Sequence, residues 1–172
     1  LEAIAWLSGA KVKYRELDGC DASIAGRADV GRAIISIDNR SLPRRQRFSL
    51  AHEIGHWEWH RGHQLLCSKD DIRGSGLKLK GLSREAAANR FAAELLMPSF
   101  MLKNAMRDFN RLDMTTVRNL ASRFDVSLTA MAYRLVESDV HPALLVAYGK
   151  DGRHWFVRSK SIGEIWFPKD RL

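Results

Sequence analysis

The stretch "AHEIGHWEWHRGH", from Ala51 to His63, holds four of the chain's six histidines. Within it, His52-Glu53-Ile54-Gly55-His56 sets two imidazoles four residues apart, with a carboxylate beside the first. On an α-helix, residues four apart lie one turn above each other. Both rings can then converge on one ion while the glutamate stands next to a metal-bound water. Zinc lowers the pKa of such a water to about 7 and polarises a carbonyl under attack, and Glu53 is the group placed to take the proton. The competing explanation is a chance match on an amphipathic helix, and a third ligand separates the two.

Three kinds of residue compete for that third place. His60 continues the spacing of four, but each such step drifts about 40° round the helix, and three ligands strung along it would not close on one ion. His63 would need the HExxHxxGxxH pattern of metzincins, which asks for glycine at 59 and histidine at 62. Trp59 and Gly62 stand there instead. Both histidines are therefore read as helix-end or surface residues. The remaining candidate is a glutamate from a second helix, as in gluzincins, with the fourth position left open. "SREAAANRFAAELL" offers Glu85 and Glu94, about 180° apart round a helix, so only one can face the metal. Glu85 is favoured, because Ala86, Ala87 and Ala88 after it allow close helix approach. Asn89, one turn on, shares its face as a candidate to hold a ligand or water from behind. The plainer readings are a helix-terminal charge for Glu85 and a solvated polar residue for Asn89.

These residues need elements to position them. "KVKYREL" and "RAIISID" read as strands, and the Gly- and Asp-rich segment between them as turns around a further short strand. Ser41 and Pro43 mark a helix start; from there Leu50, Ile54 and Trp57 share a core face while His52 and His56 share another. Residues 62–81 lose all periodicity, a connection long enough to be functional. Ser83 is placed to cap the Glu85 helix, which stops at Met97-Pro98. A helix over roughly Ser99 to Phe109 follows, then two helices around a turn near Asp125, with Ser127 as N-cap. After His141-Pro142, two apolar strands meet at Asp151-Gly152, a strong hairpin signal.

"RQRFSLAHEIGH" followed by "EAAANRFAAELLMP" resembles the ImmA/IrrE family of zinc metallopeptidases. The resemblance takes in "AIISID" and "LASRFDVSLTAMAYRL" and so reaches about residue 136. It implies that His52, His56 and Glu85 bind one Zn2+ and that Glu53 is the catalytic acid/base. It further implies cleavage of helix-turn-helix repressors in DNA-damage, phage or mobile-element settings. "PALLVAYGKDGRHWFVRSKSIGEIWFPKDRL" looks like the opening strands of the GAF-like domain that some members carry.

The expected fold is α+β and zincin-like. It comprises a metallopeptidase core over 1–110, a helix-turn-helix-like module over 111–138, and a β-hairpin segment over 139–172. With 45% hydrophobic and 28% charged residues the chain reads as an ordinary globular protein, without an apolar run long enough to span a bilayer. No secretory signal is read in its first residues, so a cytoplasmic setting is expected. Two cysteines are too few for a disulfide framework. Cys20 is assigned no role. Cys67, in the irregular connection, is read either as a small buried hydrophobe, the usual fate of a free cysteine, or as an inhibitory fourth zinc ligand that holds the enzyme latent. Arg134 is read as a surface cation or, as the lesser reading, a residue reaching the cleft to hold substrate. The net charge of +8 favours polyanionic partners. Single-stranded nucleic acid is thus a candidate activator, and a nucleic-acid-binding regulator with a structural or vestigial metal site is the alternative function. Against a DNA-reading helix, Arg134 is the only basic residue from Ser127 to Val136.

Overall fold

The computed structural model describes residues 1–59, 84–109, 111–163 and 169–170. They fall into two compact units, Leu1–Leu96 and Met97–Leu172. The first unit contains α1 (Glu2–Leu7), β1 (Ala10–Arg15), β2 (Ala22–Arg27), β3 (Arg32–Asp38), α2 (Pro43–Trp59) and α3 (Arg84–Leu96). The second contains α4 (Ser99–Met106), α5 (Met114–Arg123), α6 (Leu128–Ser138), β4 (Leu144–Gly149) and β5 (Gly152–Arg158). The architecture is α+β, as expected. Helix α4, grouped by the sequence reading with the residues before 110, lies in the second unit.

The sheet of the first unit has the order β1-β3-β2, with β1 parallel and β2 antiparallel to β3. Alternation along the strands puts Ala10, Ala22, Ile24, Ala33, Ile35 and Ile37 on one face. These residues form one core with Ala5 of α1 and Leu50, Ile54 and Trp57 of α2. Each fully buried Ile or Leu there contributes about 1.5–3 kcal/mol relative to exposure. Both helices therefore lie on the same side of the sheet.

Helix α2 is held at each end by a different means. At its start, the Asp21 carboxylate accepts from Ser41 Oγ (2.9 Å), Arg45 Nε (2.9 Å) and the Arg45 terminal nitrogen (2.7 Å). Gln46 Nε2 donates to the carbonyls of Asp38, Asn39 and Ser41. Asp21 is buried, so its pairing replaces water that burial removed. At the far end, Trp57 Nε1 donates to the Ser8 carbonyl at 2.7 Å. The indole lies against β2 where Gly26 leaves room; a Cβ there would stand 2.6 Å from Trp57 Cζ3. The start of α1 is tied to β1 by Tyr14, whose hydroxyl donates to Glu2 at 2.5 Å.

In the second unit, Asp113 caps α5 by accepting from the Thr116 N–H, and Ser127 caps α6 by accepting from Ala130, as its position suggests. The turn between them passes through Asp125 at φ 51°, a left-handed residue where glycine is the usual choice. β4 and β5 pair antiparallel as a hairpin with a bulge near Ala147, and Trp155 of β5 packs against Tyr133 of α6. Among the described residues no helix is long and apolar enough to cross a membrane.

Candidate metal centre

The first-unit sheet and the two clamps on α2 fix the rotation of that helix. Its Leu50, Ile54 and Trp57 stripe goes to the core, so its other face turns to α3. The two helices approach closely because Gly55 has no side chain: a Cβ there would stand 3.0–3.2 Å from the Phe91 side chain. Ala88 and Ala92 of α3 are buried, small residues suited to such an approach.

This packing brings three donor atoms together. His52 Nε2 and His56 Nε2 lie 2.9 Å apart, and Glu85 Oε2 is 3.2 Å from each. Both histidines are fully buried, and the Glu85 side chain is 30% exposed. Metal–ligand bonds of 2.0–2.2 Å in tetrahedral geometry set ligand atoms roughly 3.3 Å apart. The observed triangle is close to that size, and its donors, two imidazole nitrogens and one carboxylate oxygen, suit zinc-like ions. Residues His52, His56 and Glu85 could hold a metal ion. Asn89 Oδ1 lies 2.9 Å from His52 Nδ1. An amide oxygen only accepts, so His52 donates its Nδ1–H to Asn89, and Nε2 is the ring atom turned toward Glu85 and His56. The Glu85 carboxyl is held below the usual carboxylate range, first by its hydrogen bond with His52 and further by the positive character of His56, against the opposing effect of burial. Glu53, on the same turn as His52, is fully buried.

The expected site residues thus divide. His52, His56, Glu85 and Asn89 meet at one place. Cys67, with His60 and His63, lies outside the described residues. Arg134 belongs to the second unit and is 8% exposed, which corrects the surface reading. Its guanidinium donates to the Met97 carbonyl (3.1 and 3.2 Å) and to Ser99 Oγ (2.9 Å), tying α6 to the start of α4. Sequence reasoning missed this contact and that of Asp21, which holds the start of the ligand-bearing helix. Neither had a local signal, since their partners are twenty or more residues away.

A helix-borne histidine pair with an adjacent glutamate, completed by a carboxylate from a second helix, places the fold among metallohydrolases of the HExxH kind. The chain belongs to the ImmA/IrrE family of metallopeptidases, since the family model described as the IrrE N-terminal-like domain matches residues 9–136. The radiation response metalloprotease IrrE of Deinococcus deserti is 33% identical over 125 residues, covering 69% of this chain and 41% of the relative. The protein of the same name from Deinococcus radiodurans is 29% identical over 168 residues, covering 93% of this chain and 47% of the relative. The chain spans about half the length of these curated relatives.

Proposed function

We propose that this chain is a zinc-dependent endopeptidase that cuts a helix-turn-helix transcriptional repressor at one site and so relieves repression. The observation that carries the reading is the His52–His56–Glu85 triangle, with sides of 2.9, 3.2 and 3.2 Å. It would hold the ion, and Asn89 would keep His52 in the tautomer that ligation requires. A bound zinc ion supplies a Lewis acid that polarises the scissile carbonyl and acidifies water. Glu53 takes the proton of the attacking water and then delivers it to the leaving amine nitrogen. Glu53 is fully buried on the turn that carries His52. Arg134 enters this reading by holding the Met97–Ser99 segment rather than by touching substrate.

The repressor as substrate is supported by family membership, and a radiation or other DNA-damage setting by the names of the two relatives. A phage or mobile-element setting comes from the family resemblance alone. A cytoplasmic location follows from such a substrate. The segment over 139–172 is read as the start of a GAF-like sensor, and single-stranded nucleic acid as an activator. Cys67 is read as a fourth ligand that would exclude the attacking water and hold the enzyme latent.

The decisive experiment incubates the protein with a cognate repressor. Glu53→Gln should fold and retain zinc while leaving the repressor intact; continued cutting at the same site would refute the mechanism. Cys67→Ala should raise basal cutting, and an unchanged rate would remove the latch without touching the rest.

A further inference from the structure

Ser49 is a polar residue of α2 that neither the apolar core nor the ligand triangle uses. It is fully buried, and among the described residues its hydroxyl makes no hydrogen bond. A serine inside a helix ordinarily has an outlet in the carbonyl four residues back, here that of Arg45, and Ser49 does not take it. A buried hydroxyl without a partner destabilises a fold, so its presence calls for a use outside the fold's own hydrogen bonds.

The place of Ser49 on the helix says which group it serves. At 3.6 residues per turn it stands about 40° round the axis from Glu53 and about 60° from His52, between the two. Helical side chains lean toward the N-terminus, so the longer side chain of Glu53 reaches back over the turn that carries Ser49. Residues four apart are neighbours on a helix surface, and rotation about side-chain bonds is enough to join them. Both residues are closed to solvent, so no bulk water competes for the contact. Arg45, one turn further back, is held by the Asp21 carboxylate, and Leu50, Ile54 and Trp57 face the sheet.

The chemistry asked of Glu53 suits a hydroxyl beside it. In the proposed reaction one carboxylate oxygen takes a proton from water and gives it to the leaving amine, and the other oxygen has to be held while this happens. A hydroxyl can donate to a carboxylate and accept from a carboxylic acid, so it serves both charge states. We propose that Ser49 is a positioning residue for Glu53: its hydroxyl holds one carboxylate oxygen and so aims the other at the proton to be moved. The effect on rate rests on the proteolytic reading, while the contact itself does not.

The experiment has three parts. In a crystal structure of the zinc-loaded protein, Ser49 Oγ should lie about 2.5–2.7 Å from a Glu53 oxygen; a hydroxyl turned to the Arg45 carbonyl instead would overturn the proposal. Ser49→Ala should keep zinc affinity, and the melting temperature of the metal-free protein should stay the same or rise. A fall of several degrees would mean that the hydroxyl supports the fold and not Glu53. With a cognate repressor, Ser49→Ala should lower kcat roughly 10–100-fold at unchanged KM, the loss expected for one hydrogen bond to a charged group. Ser49→Thr and Ser49→Val share a shape and differ in the hydroxyl, so the first should keep most of kcat and the second should fall with Ser49→Ala. Equal rates in that pair, or a raised KM with kcat kept in Ser49→Ala, would overturn the proposal. If the added methyl group prevents folding, Ser49→Ala decides alone. A parent that cuts no repressor would sink the proteolytic reading, and the zinc-loaded structure would still decide the contact.

Discussion

Gly55→Ala is the substitution that best tests how the metal centre is held together. The added Cβ would stand 3.0 Å from Phe91 Cδ1 and 3.2 Å from its Cβ and Cγ. Comfortable carbon–carbon separations are about 3.5–4.0 Å. Turning the ring relieves the first contact but not the one with Phe91 Cβ, which moves only with the α3 backbone. α3 must therefore withdraw by a few tenths of an ångström. Metal sites accept departures of only about 0.2 Å in their ligand distances. Glu85 rides on α3 and both histidines on α2, so the withdrawal opens the triangle. Two terms act on stability in opposite directions. Overpacking costs about 1–3 kcal/mol, and alanine gains about 1 kcal/mol over glycine within a helix. The net loss expected for the metal-free protein is about 0–2 kcal/mol, whereas zinc affinity should fall roughly tenfold, about 1.4 kcal/mol. Chelator competition measures the affinity, and thermal unfolding with and without metal measures the stability. Gly55→Ala with Phe91→Ala should recover part of the affinity, because two of the three close contacts go and the one with Cβ stays. Wild-type zinc affinity in Gly55→Ala would refute the argument that the approach of the two helices sets the site.

Asn89→Ala, which removes the acceptor for His52 Nδ1, should lower metal affinity about 10–100-fold, whereas Asn89→Asp, which keeps one, should retain most of it; chelator competition decides. Tyr14→Phe should reveal a stabilising pair with a defined pH window. The Glu2 carboxyl is held below its usual value, mainly by the Tyr14 hydroxyl, so its contribution is present above the ordinary glutamate range and is lost as pH falls through the lower folded value. The Tyr14 hydroxyl is pushed up to about 12, by burial first and then by Glu2, so its contribution is present below the unfolded value of 10.0 and is lost as pH rises through the folded one. Urea midpoints of wild type and Tyr14→Phe should differ most near neutrality and converge at both extremes. Asp125→Gly should raise the melting temperature by roughly 2–4 °C, about 1 kcal/mol for a chain of this size, by relieving the left-handed backbone at φ 51°; a fall would mean that the Asp125 side chain contributes more than its backbone costs.

The features legible from sequence are those whose cause is local. The spacing of Leu50, Ile54 and Trp57 declared the core face of α2, and Asp151-Gly152 the hairpin. Ser127 announced its cap, and the distance of one turn from Glu85 to Asn89 put both on one side of α3. The β2 strand was harder. "ASIAGR" is small, contains a glycine and alternates weakly, and its pairing with β3 is settled by Ile24 and Ala22 reaching a core that other elements build. Its edge position follows from register, which no single strand encodes. Arg134 shows a different limit. An arginine among apolar helix positions reads as exposed, yet here two acceptors at Met97 and Ser99, supplied by a segment 35–37 residues away, compensate its burial.

The two sides of the metal site are restrained to different degrees. α2 is fixed at its start by a buried carboxylate with three donors and by Gln46 across three carbonyls, and at its end by an indole wedged over Gly26. Its histidines are therefore presented in a set geometry whether or not metal is bound. α3 is placed against α2 by small residues and by the fit of Phe91 to Gly55, and its ligand Glu85 remains partly open to solvent. Adjustment to an ion of different size should then fall on α3, and a substitution that loosens α3 should change the choice of metal more readily than one that loosens α2. The comparison is direct: Phe91→Leu should alter the ratio of zinc to cobalt affinity, whereas Arg45→Lys, which weakens the Asp21 clamp, should lower thermal stability and leave that ratio in place. The reverse result would mean that the polar clamp, and not helix packing, sets the ligand geometry.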